Sequence, residues 1–522
     1  VKSSISDFSF YEDDFVQEFT LLYNTYPYTI VYSYQIQQYQ FLSIDYWTPI
    51  IDERIPTLSA SLKVTVPFGY KISCKNHLVD EPKIDTINNA TTFQWNASYK
   101  EPVKENELSP PIADFLPHVE IIPLEFYYDK FGSFRDWISF GNWQYELLQG
   151  IGELPDFEKD KIRTLIKNAQ SDTERIKILY HYLQDETRYI NVRIETGGLK
   201  PYPASYVATN KFGDCKALTN YFKSVLDYIE IPSYYTKVYA GSPVLQVDKN
   251  FPSQQSNHVI LYVPLKDENL WLDCTSDGAF NYLGTFTQDR DAFIVSKDNS
   301  RFIKTPSLKP NEVLEFRKIE ISLNSEGANV NSINTYMGPS YENIFHLYKM
   351  YNNSEKSRIL SKNLIEDGFQ LIDFEINYPD RDSPVIKLSY TATSQNLYKH
   401  YGNDILISNI PFSLPEFENP KERTLPIQIE YPIYKMDTII YEIQEGCVVT
   451  KNTTSNSVHT KYGDYELNIF EKDDKIFAIK RLLINKGNYP ISEYEEFYSF
   501  YSQIISNENK TLISLYKSNL YD

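Results

Sequence analysis

Phe212-Gly213-Asp214-Cys215-Lys216 leads into a run of residues with a clear helical period. Asp214 is a preferred N-cap residue type, and Gly213 permits a close approach of the backbone. We therefore predict a helix that begins at Cys215 and holds the thiol in its first turn. Apolar residues then recur at steps of three and four, as on one face of a helix; they are Leu218, Phe222, Val225, Leu226 and Ile229.

Two strand-patterned segments follow this helix and carry a histidine and an aspartate. His258 opens the β-prone run 258–263, and Asp273 ends the shorter run 270–273. The polar residues 266–269 between the two runs are typical of a turn. An antiparallel pair would bring His258 and Asp273 to neighbouring strand ends. Both side chains could then face one cleft.

This order of Cys215, His258 and Asp273 suits nucleophilic catalysis. A thiol reacts as its thiolate, and the pKa of free Cys is about 8.5, so the thiolate needs stabilisation at neutral pH. A helix N-terminus and an imidazole both provide it, and a carboxylate fixes the orientation of the imidazole. Backbone N–H groups of the first helical turn could bind an oxyanion. The alternative is that Cys215 is a small buried apolar residue.

Residues 155–295 resemble the transglutaminase-like superfamily, which has a papain-related cysteine fold. The matching motifs are LYHYLQDETRY at 179–189, GGLKPYPA at 197–204, the Gly-Asp-Cys-Lys box, Asn257-His258-Val259 and WLDCT at 271–275. The resemblance implies that Cys215 is the nucleophile, His258 the general base and Asp273 its orienting partner. One departure is Cys274, where related sequences usually have Pro.

Tyr189 lies upstream of the nucleophile, where enzymes of this superfamily place an aromatic donor to the oxyanion. The resemblance therefore makes Tyr189 a candidate for oxyanion support. The alternative is an aromatic side chain that fills the core beside the helices. Gly197-Gly198 is typical of a turn.

The two ends of the chain resemble the uncharacterised domains that bracket a transglutaminase-like core in many bacterial envelope proteins. The residues that carry this resemblance are Trp47-Thr48-Pro49, Val64-Thr65-Val66-Pro67 and Arg423-Thr424-Leu425-Pro426. We therefore predict an α+β chain with three domains. They are an N-terminal β-rich, sandwich-like domain at 1–150, a papain/transglutaminase-like core at 151–300 and a C-terminal β-rich domain at 301–522.

Periodicity predicts further elements along the chain. Alternating Tyr and Ile residues at 26–34 predict an antiparallel strand. Apolar residues at helical spacing predict a short helix at 133–143, two helices at 157–169 and 176–183, and one helical stretch at 340–367. We also expect at least one β-rich domain to pack beside the cleft and narrow it.

Composition limits the classes of partner and compartment. The net charge of −19 over 522 residues excludes a nucleic-acid-binding protein, which needs a basic surface. The four cysteines fit neither a dense disulfide framework nor a zinc pattern, and we expect no metal and no cofactor. No apolar run has the length of a transmembrane helix. The chain begins at Val1, which indicates an excised or processed N-terminus, and the resemblance implies the periplasm or cell envelope.

The sequence thus predicts thiol-dependent acyl transfer on a protein or peptide substrate. Water as the acceptor would make the protein a hydrolase, which we favour because water is always present, and an amine would make it a transferase. Two alternatives remain open, namely a non-catalytic module that binds protein or glycan and a structural assembly component. The sequence determines neither the oligomeric state nor a calcium requirement.

Overall fold

A computed structural model describes residues 2–3, 9–12, 15–16, 18–21, 23–193, 198–324, 327–366, 368–443, 446–451 and 454–517. It contains 23% helix and 37% strand, which confirms a β-rich α+β chain. No helix within these ranges is long and apolar enough to span a membrane.

Residue contacts divide the chain into two compact units. Unit 1 comprises Val1–Val103, Ala113–Leu283 and Asp289–Thr305, and unit 2 comprises Lys104–Ile112, Gly284–Gln288 and Pro306–Asp522. The division into three domains with boundaries at residues 150 and 300 stays a prediction.

Unit 1 contains the first five helices and nineteen strands among the described residues. The helices are α1 Trp137–Leu147, α2 Asp156–Ile166, α3 Asp172–Glu186, α4 Ala204–Asn210 and α5 Cys215–Tyr228. The strands are β1 Lys2–Ser3, β2 Ser9–Glu12, β3 Phe15–Val16, β4 Asp45–Trp47, β5 Thr57–Pro67, β6 Ile72–His77, β7 Lys83–Ile87, β8 Ala90–Tyr99, β9 His118–Pro123, β10 Glu125–Tyr128, β11 Lys130–Ser133, β12 Arg188–Tyr189, β13 Asn191–Arg193, β14 Phe212–Gly213, β15 Tyr234–Val238, β16 His258–Pro264, β17 Asn269–Leu272, β18 Asp291–Ile294 and β19 Arg301–Lys304.

A five-stranded antiparallel sheet organises the second half of unit 1, in the order β17-β16-β15-β18-β19. Helix α5 contacts this sheet, and Thr219 Oγ1 donates a hydrogen bond of 3.3 Å to the carbonyl oxygen of Val259. Helices α2, α3, α4 and α5 share one buried cluster with β16 and β17. The predicted helices at 157–169 and 176–183 are confirmed as α2 and α3, and the helix predicted at 133–143 begins later, at Trp137.

The first part of unit 1 forms two small sheets, β5-β8-β7 and β4-β9-β6. They enclose a core that includes Trp95, Val119 and Ile121. The strand predicted at 26–34 was wrong, because these residues have no strand partner in the described part of the chain and lie exposed. An alternating pattern makes a strand only where a neighbouring strand takes its hydrogen bonds and a core covers one face.

Unit 2 contains four helices and fourteen strands among the described residues. The helices are α6 Gly284–Thr287, α7 Pro339–Met350, α8 Asn353–Asn363 and α9 Tyr494–Lys510. The strands are β20 Leu314–Asn324, β21 Gly327–Met337, β22 Phe369–Asn377, β23 Val385–Ser394, β24 Tyr398–Tyr401, β25 Asp404–Ser408, β26 Ile427–Ile429, β27 Ile433–Glu442, β28 Cys447–Lys451, β29 Thr454–Thr460, β30 Gly463–Lys472, β31 Lys475–Ile484, β32 Gly487–Tyr489 and β33 Leu512–Lys517. Eight strands form one sheet, in the order β22-β23-β21-β20-β27-β31-β30-β29.

The single helical stretch predicted at 340–367 was wrong, because the chain forms two helices there. Helix α7 ends at Met350, and Asn352 caps α8. The Oδ1 atom of Asn352 accepts from the backbone N–H of Glu355, and Glu355 Oε2 accepts from the backbone N–H of Asn352, each at 3.1 Å. This reciprocal capping box satisfies two helix-end donors and starts a new helix.

Charged side chains of the large sheet of unit 2 form a buried network with Glu508 of α9. Lys480 Nζ lies 3.0 Å from Asp437 Oδ2 and 2.8 Å from Glu508 Oε2, and all three side chains are almost completely buried. Arg317 also contacts Asp437, at 2.6 Å. Every charge in this network therefore has an opposite charge beside it, which a buried ion requires.

Lys480→Ala should reduce the free energy of unfolding by about 3–5 kcal/mol, because it leaves Glu508 buried without its ammonium partner. Lys475→Ala is the matched control on the same strand, since the Lys475–Glu442 pair is exposed and should contribute less than about 1 kcal/mol. Urea unfolding monitored by circular dichroism measures both. Equal transition midpoints in the two variants would contradict the prediction.

Candidate active site

Cys215 occupies the first position of α5, as predicted. The Asp214 side chain caps the helix by accepting a hydrogen bond of 2.9 Å from the backbone N–H of Ala217. Gly213 is required before the cap, because a Cβ atom there would lie 2.8 Å from the Cβ of Ala217. Lys216 Nζ pairs with the other oxygen of Asp214. The thiol therefore lies at a capped helix N-terminus. The residue before the cap, Gly213, packs tightly against the first turn of the helix.

His258 is the first residue of β16, and Asp273 directly follows β17. The two strands pair in antiparallel register, as predicted. His258 Nε2 lies 2.9 Å from Asp273 Oδ2, and the imidazole is also hydrogen-bonded to the side chain of Cys215. The structure thus brings the three predicted residues into one hydrogen-bonded series in which all three side chains are buried.

Several neighbours hold this series in place. Thr275 donates to Asp273 Oδ1 from its backbone N–H at 2.9 Å and from its hydroxyl at 2.7 Å. Tyr180 donates from its hydroxyl to the carbonyl oxygen of Asp273 at 2.8 Å. Before His258, the Asn257 side chain bonds to both the N–H and the carbonyl oxygen of Ala240. The imidazole and the carboxylate are therefore anchored independently of each other.

The contact between the buried His258 and Asp273 raises the pKa of His258 and lowers that of Asp273, which favours the charged form of each group. Burial lowers the pKa of His258, but the Asp273 carboxylate and the hydrogen bonds to Asp273 and Cys215 outweigh burial and raise it to about 10. Burial likewise raises the pKa of Asp273, and the His258 charge together with the Thr275 donors turns the net shift downwards. An imidazolium paired with a carboxylate is therefore the stable form at neutral pH, and it lies against the Cys215 sulfur.

Two other cysteines, Cys274 and Cys74, lie in environments that oppose thiolate formation. Burial and the Asp273 charge raise the pKa of the Cys274 thiol, although this residue is next to Asp273 in sequence. Burial raises the pKa of Cys74 to about 11, and the charge of Glu81 adds to that shift. Such thiols are poor nucleophiles. Among the four cysteines, Cys215 is the one whose side chain is hydrogen-bonded to an imidazole. This imidazole belongs to His258, whose pKa is raised.

Tyr189 lies in β12, whose backbone pairs with β14 so that Tyr189 is opposite Gly213. The strand β14, with which Tyr189 pairs, therefore ends two residues before Cys215. Its side chain is 43% exposed, so the alternative of a core-filling aromatic does not describe it. A role in oxyanion support stays a prediction. Of the Gly197-Gly198 turn, Gly197 lies outside the described residues.

Lys237 is a site residue that the sequence analysis missed. It lies in β15 with a buried ammonium group 5.1 Å from the centre of the Phe140 ring, and its Nζ donates to Gln254 Oε1. Burial and, to a smaller extent, the nearby Lys216 lower the pKa of Lys237 to about 7, and the charge of Cys215 opposes this shift. The sequence did contain a signal for this site residue, namely a lysine within the apolar strand run 234–239. Lysines are rarely buried, so one in such a run indicates a special role.

The comparisons with known proteins extend these observations. A family model described as a domain of unknown function with solved structure (DUF3858) matches residues 398–514. No curated protein matches the chain. A crystal structure described as "a putative protease" from Parabacteroides distasonis ATCC 8503 is similar, with a TM-score of 0.54 and 12% identity over 89% of this chain and 74% of that chain. This likeness shows a shared fold.

A second crystal structure, described as "a putative cysteine protease" from Cytophaga hutchinsonii, has a TM-score of 0.22. Its identity is 8%, over 48% of this chain and 84% of that chain. At this TM-score the second likeness carries no argument about the fold.

Asp273→Asn should lower the pKa of His258 from about 10, because burial then acts without the opposing carboxylate. In the wild type the folded pKa exceeds the unfolded one. His258 therefore stabilises the fold fully below pH 6.5, and this stabilisation is lost as the pH rises through 10. The variant should lose less stability than the wild type over that interval, because its folded pKa is closer to the unfolded one.

NMR titration of the His258 ring and urea unfolding at several pH values measure the two effects. Asp267→Asn, the same change in the exposed turn between β16 and β17, is the matched control and should leave both unchanged. A wild-type His258 that titrates near pH 6.5 would contradict the prediction.

Proposed function

We propose that the protein is a transglutaminase-like cysteine enzyme that hydrolyses an amide or peptide bond by acyl transfer through Cys215, His258 and Asp273. The observation that carries this proposal is the buried hydrogen-bonded series from thiol to imidazole to carboxylate, with the thiol at a helix N-terminus. The fold shared with a crystal structure described as a putative protease supports it.

In the first step, the Cys215 thiolate attacks the substrate carbonyl carbon and a C–S bond forms. The oxyanion that develops faces the N-terminus of α5, where unpaired N–H groups, including that of Cys215, can stabilise it. His258 donates its proton to the leaving nitrogen, the C–N bond breaks and an amine departs. A thioester remains on Cys215.

In the second step, a water molecule attacks the thioester carbonyl. His258, now neutral, accepts a proton from this water, and the C–S bond breaks to release a carboxylic acid and restore the thiolate–imidazolium pair. Asp273 holds the ring throughout and stabilises its charged form. An amine in place of water would complete a transfer by the same route. We propose the periplasm or cell envelope as the compartment of this activity, which the resemblance implies.

A non-catalytic binding module is the second candidate. The observation that favours it is the low exposure of the reactive groups, since Cys215 is 9% exposed and His258 7%. A buried, satisfied series of this kind could also serve only to order the fold.

Labelling of Cys215 by iodoacetamide separates the two candidates. If Cys215 is an activated thiolate, alkylation at pH 6 should be fast and confined to this residue, since an ordinary thiol needs a pH near 8.5. His258→Gln should slow it at least about tenfold at pH 6, because the glutamine can hydrogen-bond Asp273 but carries no positive charge to stabilise the thiolate. Peptide mapping by mass spectrometry measures each cysteine separately.

Cys274 is the internal control, because it is adjacent to the same carboxylate but has a raised pKa. Its labelling should be slow in both proteins. Equal, slow labelling of all four cysteines in the wild type would exclude the enzymatic proposal and favour the binding module.

A further inference from the structure

A cavity of about 560 Å³ lies in unit 1 beside the candidate active site. One wall is the chain segment 38–43 together with Tyr46, and the opposite walls come from β9, Tyr128, Leu199 and the residues just before His258. Residues of the N-terminal part of the chain therefore line this cavity. That a flanking domain narrows the cleft stays a prediction.

Three lining residues connect this cavity to the nucleophile. Ile122 is buried in the same apolar cluster as Cys215, and Tyr128 and Leu199 pack against that cluster. On the other side, the lining residue Gln254 accepts the hydrogen bond from Lys237. The cavity therefore adjoins the apolar cluster that contains Cys215.

Glu120 is the charged residue in the described lining of the cavity. It lies on β9 two residues before Ile122, so the two side chains share one face of the strand about 7 Å apart. Tyr46 lies opposite Glu120 on the neighbouring strand β4, and the rings of Phe41 and Tyr128 also line the cavity. A carboxylate among aromatic rings is a suitable site for an organic cation.

The neighbours of Glu120 leave its charge largely available. Lys75 Nζ lies 3.7 Å from Glu120 but 3.0 Å from Asp248, so its closer partner is Asp248. His118 Nε2 lies 4.0 Å away, and burial lowers the pKa of His118, which favours the neutral ring. Lys237 does not belong to the lining of the cavity, because its ammonium group donates to the Gln254 side chain, which does.

We propose that this cavity binds the cationic side chain, arginine or lysine, of a peptide substrate next to the bond that Cys215 attacks, and that Glu120 selects for its charge. The proposal rests on the proposed function and adds a substrate class to it. The net charge of −19 acts in the same direction, because it attracts basic peptides to the protein.

Two peptidyl chloromethyl ketones that differ only in arginine or citrulline beside the electrophile test this selectivity. Citrulline keeps the shape and hydrogen-bonding reach of arginine without its charge. The wild type should alkylate at Cys215 at least about tenfold faster with the arginine reagent, as expected for one charge-assisted hydrogen bond. Added salt should reduce the ratio, because it screens the attraction.

Glu120→Gln should bring the ratio of the two rates close to one. Glu146→Gln is the matched control, since it removes the same charge from an exposed position of α1 in unit 1 and should keep the wild-type ratio. Circular dichroism verifies that both variants are folded, and the wild-type ratio is decisive even if Glu120→Gln does not fold.

The result that overturns this inference is rapid alkylation of wild-type Cys215 by both reagents at equal rates. This result differs from a failure of the proposed function, in which neither these reagents nor iodoacetamide would label Cys215 faster than the other cysteines. A faster reaction with the citrulline reagent would also overturn it.

Discussion

The hydrogen bond between His258 and Asp273 is the constraint on which the arrangement of the site depends. Two buried groups that are both charged lose their hydration, and their mutual attraction compensates only when the geometry is good and the remaining hydrogen-bonding positions are filled. Thr275 fills those of Asp273, and Cys215 bonds to the imidazole. Displacement of any of these groups would leave a buried charge unsatisfied.

This constraint explains why the site lies where secondary-structure elements begin and end. The antiparallel register of β16 and β17 sets the distance between His258 and Asp273, and the Asn257 side chain fixes the chain just before His258. Helix α5 contacts β16 and so brings its N-terminus to the imidazole. Each of the three groups is therefore held by a different element, and a shift of one residue in strand register would separate them.

The features that could be predicted from the sequence are those determined by local interactions. Asp214 and the helical period fixed the start of α5, and the turn between two β-prone runs fixed the hairpin that carries His258 and Asp273. The strand predicted at 26–34 failed because its pattern depends on a partner strand that local sequence cannot reveal. Helix α9 was missed because its many aromatic residues favour strands, although Tyr494, Phe497, Tyr501 and Ile504 follow a helical period.

Long-range contacts account for the features that the sequence analysis did not predict. Lys237 became part of the site only when the fold placed Gln254 and Phe140 around its ammonium group. Glu120 is distant in sequence from Cys215, and only the packing of Ile122 into the cluster around Cys215 brings its face of β9 to the cavity. Neither residue belongs to a recognisable motif.

The two units use buried charge in different ways. In unit 2, Lys480 and Arg317 meet carboxylates whose hydrogen-bonding positions are filled by fixed groups, and such a closed network gives rigidity. In unit 1 the charge on His258 is balanced by Asp273, and the imidazole is also hydrogen-bonded to Cys215. In the proposed mechanism a proton moves between this thiol and the imidazole. Buried charge therefore supports a fixed structure in unit 2 and, in the proposed mechanism, a mobile proton in unit 1. A mobile proton beside a sulfur atom is what acyl transfer requires.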